Sequence, residues 1–257
     1  MERSTEGRGV VVLGGTAGVG WESAAQFAEA GDRVLLMGRN QAKGDAACAR
    51  LRDRVAGASV RFVPVDAADP AAAALAAAEA QELLGSIEVL MCSSGTTNLP
   101  ALLHTIPVGS IAGRIAEILL PPLHLTHAVL PAMRAARQGS VILVASDAAK
   151  VATPGESVIG AAMAAIAMFA RTAAVECKRE GVRVNVLTPS LVAGTPGAAL
   201  IDTDPFSAKL FAKATQLAAL GVATAADLAA MAVFLASPAA QRMTGQVISI
   251  NGGISVA

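Results

Sequence analysis

The feature that most limits how this chain can fold is a regular alternation of short apolar runs with longer segments of helical spacing. The runs are Val10–Leu13, Arg33–Met37, Val60–Val65, Glu88–Met91, Ser140–Ala145, Val182–Leu187 and Gln246–Ile250. They read as continuous apolar stretches, the pattern of strands covered on both faces. Between them, Glu22–Ala30, Gln41–Val55, Pro70–Leu84 and Asp227–Leu235 carry Ala, Leu and Glu at helical spacing, and Asp69-Pro70 is a helix start signal. This alternation predicts parallel β-α-β units and hence an α/β fold, a doubly wound parallel sheet of about seven strands with helices on both faces. No linker or fixed-period repeat interrupts it. Residues 1–257 therefore read as a single domain, near the upper size that one core fills.

The apolar fraction is 54%, much of it alanine. The apolar stretch Ser157 to Ala170 falls short of the roughly 18–20 residues that a bilayer span needs. Met1 to Gly9 is polar, unlike a secretory leader, and is expected to be frayed. With 20 basic and 20 acidic residues there is no basic footprint for nucleic acid. Cys48, Cys92 and Cys177 are odd in number and far apart, which argues against both a disulfide framework and a zinc ribbon. His124 and His127 share a helical face but lack a third ligand, so interior packing is expected there and no metal site. His104 reads as a surface histidine. The expectation is a soluble cytoplasmic protein without nucleic-acid or membrane partners.

The first run leads directly into Gly14-Gly15-Thr16-Ala17-Gly18-Val19-Gly20 and then into a helix. Glycines in that place permit a tight turn and let backbone N–H groups approach a pyrophosphate at the helix N-terminus, as in a Rossmann-type dinucleotide fold. Gly14, Thr16, Gly18, Val19 and Gly20 are thus candidate cofactor residues. The second run ends in Met37-Gly38-Arg39-Asn40, about 20 residues further on. An acidic residue there would accept from the ribose hydroxyls of NAD, whereas Arg39 offers a fork suited to the 2′-phosphate of NADP. A solvated arginine is the plainer alternative. Asp66, after the third run, is placed to accept from an adenine amino group or simply to close a turn.

Several further motifs occur in an order that resembles the short-chain dehydrogenase/reductase family over almost the full length. The family's opening Thr-Gly-x-x-x-Gly-x-Gly is similar to Leu13-Gly14-Gly15-Thr16-Ala17-Gly18-Val19-Gly20, with the leading threonine changed. Its Asn-Asn-Ala-Gly resembles Cys92-Ser93-Ser94-Gly95, which keeps the glycine. His127 to Pro131, Asn185 to Ser190, Thr244-Gly245-Gln246 and Asn251-Gly252-Gly253 resemble later family segments.

The family interconverts carbonyls and alcohols with a serine, tyrosine, lysine and asparagine. The resemblance implies that Ser146 is the serine, Ile159 stands for the tyrosine, Met163 for the lysine, and Ile118 lies near the asparagine position. No change of alignment restores the phenol, because the chain contains no tyrosine. Loss of a positioned general acid costs about 10²–10⁴ in rate, and loss of an oxyanion donor roughly 10²–10³. Losing the lysine also removes a charge-assisted contact to the cofactor, so NADP(H) is the expected cofactor with binding weakened or lost. Ser146-Asp147-Ala148-Ala149-Lys150 offers Asp147 and Lys150 as replacement acid–base groups, and Glu156 and Ser157 follow soon after. A loop ion pair or a helix cap is the alternative reading of Asp147 and Lys150.

The resemblance further implies a homo- or hetero-oligomer through two long helices, about 108–136 and 157–178, the second rich in small residues. It implies a variable lid over 190–221, where Phe206, Leu210 and Phe211 point to a small apolar ligand. The leading expectation is a degenerate member acting as a subunit or scaffold, with an active relative as its partner. The alternatives are an oxidoreductase using Ser146 with Asp147 or Lys150, and a non-redox isomerase or cyclase.

Overall fold

The computed structural model describes residues 7–257. Strand β1 (Gly9–Leu13) is followed by α1 (Gly18–Glu29), β2 (Arg33–Gly38), α2 (Gln41–Arg54), β3 (Val60–Pro64), α3 (Pro70–Leu84) and β4 (Val89–Cys92). The second half continues with α4 (Ile111–Ala136), β5 (Gly139–Val144), α5 (Ser157–Cys177) and β6 (Val182–Thr188). Then come β7 (Val192–Ala193), α6 (Pro196–Ile201), α7 (Pro205–Leu217), β8 (Ala223–Thr224), α8 (Ala225–Ala236) and β9 (Val247–Ser249). Seven strands form one parallel sheet in the order β3-β2-β1-β4-β5-β6-β9. The order reverses beside β1, where β4 pairs on the side opposite β2, with Val10 facing both Val34 and Val89. Such a reversal opens a crevice at the carboxyl ends of the strands.

Alternate residues of each strand enter different cores. Val11 and Leu13 of β1 belong to one apolar cluster, which also holds Ala76 of α3, Leu125 and Val129 of α4, and Ile166 of α5. Val10 and Val12 belong to the other, with Phe27 of α1, Leu51 of α2 and Leu228 and Leu235 of α8. Polar residues at the helix starts supply the caps that the backbone needs. Asp69 accepts from the N–H groups of Ala71 and Ala72, and Asn40 from that of Lys43. Thr224 and Asp227 form a reciprocal capping box at α8.

Val108–Ala136 and Ser157–Glu180 are long and apolar enough to cross a membrane by length and composition. The second segment runs on past Ala170 to Glu180 and so exceeds the length expected from Ser157–Ala170 alone. In this fold both segments lie against the sheet, with Met133 and Ala170 in the core. The lid region contains two helices, α6 and α7, and its flanks meet where β7 pairs with β8.

The expectation of a frayed Met1–Gly9 needs correction at its end, while residues 1–6 lie outside the described residues. Gly9 is the first residue of β1, and Arg8 is anchored on both sides. Its guanidinium meets the buried Asp32 carboxylate at 2.6 Å and 3.0 Å and donates to the Ala236 carbonyl at 2.6 Å. The pair ties the entry to β1 to the turn before β2 and to the end of α8. Removing the carboxylate strands a partly buried guanidinium. Asp32→Ala is expected to lower unfolding stability by roughly 2–3 kcal/mol in urea titrations; a change within about 0.5 kcal/mol contradicts the anchoring role.

Candidate cofactor cleft and catalytic positions

The glycine turn is built by close backbone approach. A Cβ on Gly20 would stand 2.3 Å from the Gly14 carbonyl oxygen, and one on Gly14 would stand 2.4 Å from the Ser93 carbonyl oxygen after β4. Gly14 and Gly18 also have positive φ, 77° and 54°, a conformation that disfavours a side chain. Ala17 precedes α1 without a side-chain cap and the first turn holds no acidic residue. The N–H groups of Gly18, Val19 and Gly20 are therefore available to an anion at the positive end of the helix. Thr16 lies beside Gly38, whose Cβ would be 3.6 Å from the Thr16 methyl.

Arg39 is exposed and makes no ion pair or hydrogen bond among the described residues. Asn40 caps α2 through its side chain. Asp66 closes a turn by accepting from Ala68 N–H at 3.1 Å and remains exposed. Gly95 faces open space. The start of the lid reaches the turn, since a Cβ on Gly18 would be 3.4 Å from Pro196 Cδ. The glycine turn, the uncapped helix end and Arg39 thus fit the phosphate-bearing half of a dinucleotide.

The other half of the cleft has different chemistry. Ser146 follows β5 and caps the short 3-10 turn Asp147–Ala149, its Oγ accepting from Ala148 N–H at 3.2 Å. That bond uses a lone pair and leaves the hydroxyl hydrogen for another acceptor. Ile118 and Ile159 are 6% and 7% exposed and belong to one apolar core cluster, against which Met163 packs. None of the three presents a donor or a charge.

Asp147 is buried and engaged with the C-terminal segment. Its carboxylate accepts from Asn251 Nδ2 at 2.5 Å and Ser255 Oγ at 2.7 Å, with Ser249 Oγ at 3.4 Å. Lys150 Nζ donates to Ser249 Oγ and, at 2.6 Å, to the Ala257 carbonyl. Asp147 and Lys150 therefore meet through the Ser249 hydroxyl, and both side chains hold the end of the chain.

A further titratable group near this turn is Glu156. Burial pushes its carboxyl up to about 7; a hydrogen bond with Thr153 works against this and the Asp147 charge adds to it. Glu156 directly precedes α5 and stands three residues before Ile159. The signal available in sequence was that spacing.

His127 is exposed, contrary to the interior packing expected, because α4 turns that face outward opposite the start of α3. Together with the half-buried His124 it lines a surface cavity of about 250 Å³ with Pro70, Ala74, Ala128 and Pro131. His124 Nδ1 lies 3.1 Å from the Ala67 carbonyl. No cluster able to hold a metal ion occurs among the described residues.

Residues 14–255 match the family model described as enoyl-(acyl carrier protein) reductase. The chain belongs to the short-chain dehydrogenase/reductase family. Among curated members of this family, an oxidoreductase named asL5 from Sarocladium schorii is 31% identical over 97% of this chain and 96% of its own. The 3-oxoacyl-[acyl-carrier-protein] reductase FabG of Chlamydia muridarum is 30% identical over 96% and 97%. A solved short-chain dehydrogenase/reductase superposes with a TM-score of 0.83 at 30% identity, covering 98% of both chains. Another, from Mycobacterium ulcerans, gives 0.89 at 26% identity over 98% of this chain and 91% of its own.

The Asp147 cluster couples the loop carrying Ser146 to the segment after β9. Asp147→Ala removes the charged acceptor of three hydrogen bonds, and a well-formed bond of this kind is worth roughly 1.5–3 kcal/mol. Amide exchange at Gly253 and Ile254 is expected to quicken by about tenfold or more, with β1 unchanged. Unaltered exchange at these two amides contradicts the coupling.

Proposed function

We propose that this family member binds NADP(H) without performing tyrosine-dependent carbonyl reduction, and that it acts as a subunit or scaffold beside an active relative. One observation carries the reading. A chain without tyrosine has Ile118, Ile159 and Met163 at the positions that the family resemblance assigns to asparagine, tyrosine and lysine, and all three pack in or against one apolar core. The glycine turn with its uncapped helix supports dinucleotide binding, and the unpaired Arg39 supports the 2′-phosphate form. Met163 offers no ammonium to the nicotinamide ribose, so affinity is lower than in a lysine-bearing relative. Assembly through α4 and α5 is part of the proposal. The buried, unpaired Cys48, Cys92 and Cys177 suit a reducing compartment, and we assign the protein to the cytoplasm.

A second reading keeps oxidoreductase activity. It is favoured by the free hydroxyl hydrogen of Ser146 and by the raised Glu156 carboxyl just before α5. Acyl-carrier substrates, as in the name of the Chlamydia relative, belong to this reading.

Calorimetry and turnover assays separate the two. NADPH is expected to bind more tightly than NADH, with Arg39→Ala abolishing a preference of roughly 10–100-fold. Turnover across a ketone and aldehyde panel is expected at least about 10⁴-fold below that of a tyrosine-bearing relative. Robust NADPH turnover that disappears in Ser146→Ala sinks the scaffold reading, and absence of NADPH binding sinks the cofactor assignment.

A further inference from the structure

We propose that Glu117 is a positioning residue of the cofactor cleft, whose carboxylate pins the loop after β4 in the shape that receives the nicotinamide half of NADP(H). The proposal rests on the NADP(H) binding proposed above. It concerns a side chain outside the family's serine, tyrosine, lysine and asparagine positions, next to Ile118 on α4.

The loop runs from one half of the cleft to the other. Its first residue, Ser93, donates its N–H to the Leu13 carbonyl at 2.9 Å. The Ser93 carbonyl oxygen leaves no room for a Cβ on Gly14, which would stand 2.4 Å away. That end is therefore fixed to the glycine turn by backbone alone. At the far end, Ala101 N–H donates to the Gly155 carbonyl at 2.8 Å, two residues before α5 begins. The first turn of α5 is in turn pressed onto the segment capped by Ser146, since a Cβ on Gly160 would be 2.8 Å from the Ala148 carbonyl oxygen. Between these anchors the loop leads from the phosphate-bearing half to the half that holds Ser146. It leaves β4 where the strand order reverses beside β1, and so borders the crevice in which such sheets take their ligands.

Glu117 holds the middle of this loop. One oxygen of its half-buried carboxylate accepts from the Thr97 N–H at 2.9 Å and from the Thr97 hydroxyl at 3.1 Å. The other accepts from Asn98 Nδ2 at 2.7 Å. Bonds to an ionised acceptor are the stronger kind. Asn98 is also turned back on Thr96, its N–H and Nδ2 reaching the Thr96 hydroxyl oxygen at 3.0 Å and 2.9 Å. Residues 93–102 lie outside helix and strand, so side-chain bonds must supply the shape that a backbone ladder supplies elsewhere. Helix α4 needs the same tie. Pro121 and Pro122 cannot donate to the carbonyls of Glu117 and Ile118 four residues back, and two rungs of the helix are missing just beyond the carboxylate. A loop released from Glu117 samples other shapes, and a cofactor that needs one of them binds in proportion to its population.

Calorimetry on the full-length protein compares NADPH with adenosine 2′,5′-bisphosphate, which carries the adenine half and its 2′-phosphate but no nicotinamide. Glu117→Ala is expected to weaken NADPH binding by roughly tenfold and to leave the bisphosphate within about twofold of the parent. Glu117→Gln keeps an acceptor for Thr97 but turns an amide N–H toward the Asn98 amide, so it is expected to weaken NADPH binding as well. Adding Asn98→Asp gives that N–H an acceptor and is expected to restore most of the lost affinity. Amide exchange at Thr97 and Asn98 is expected to quicken in each Glu117 variant and to slow again in the double variant, with melting curves confirming that every variant is folded. Unchanged NADPH affinity in Glu117→Ala, an equal loss for both ligands, or no rescue by Asn98→Asp overturns the proposal. A parent protein that does not bind NADPH overturns the cofactor assignment and this proposal with it, whereas parent binding that survives both Glu117 variants removes this proposal alone.

Discussion

Seven parallel strands with apolar residues on both faces demand cover on both faces, and every other feature follows from how that cover is supplied. Each strand must be re-entered from the same end, so each crossover is a helix and all strand termini of one polarity gather along one edge. At that edge lie the glycine turn after β1, the segment after β4 with Gly95, and the segment after β5 with Ser146. Close approach draws them together: the backbone leaves no room for a Cβ between Gly14 and Ser93 or between Gly20 and Gly14, and the side chains of Thr195 and Pro196 of the lid lie beside Gly18. The cleft is therefore a product of sheet topology, and its chemistry depends on which side chains occupy the few places around it.

Those places divide into two halves with opposite character. Around the glycine turn, free N–H groups, a helix dipole and the unpaired Arg39 form an electropositive half without a polar partner of its own. Around α5, the positions of Ile118, Ile159 and Met163 have been absorbed into the apolar core under the sheet. Polar chemistry persists at the boundary between the halves, in the Ser146 hydroxyl and the Glu156 carboxyl. Burial at that boundary is also what pushes the Glu156 carboxyl up to about 7.

The fold was largely legible because burial on both faces writes continuous apolar runs into a sequence. The seven expected strands all occur, with ends shifted by a residue or two where Gly9, Gly38 and Cys92 extend the ladder. Helix α3 spans the expected Pro70–Leu84 and begins at the Asp69-Pro70 signal. In the lid, Thr195-Pro196 and Asp204-Pro205 are the same start signal and cap α6 and α7. The glycine turn was legible from spacing. Three other features were not. Asp147 reaches Asn251 and Ser255 more than a hundred residues away, and no local pattern encodes such a contact. The titration of Glu156 arises from burial by converging loops, which composition does not reveal, and the outward turn of His127 depends on how α4 sits against α3.

The packing of Ile159 limits what its place in α5 can accept. A side chain that is 7% exposed, with Ile118 in the same cluster and Met163 against it, belongs to a set of mutually adjusted volumes. Returning a phenol to that place would insert an aromatic ring and a polar oxygen into close-packed aliphatic surroundings, with no ammonium nearby to favour them. Restoration would require several coordinated replacements, each unfavourable until the others arrive. A phenol placed at position 159 would thus need new volume at positions 118 and 163 before it could settle, so the three sites answer to one packing constraint.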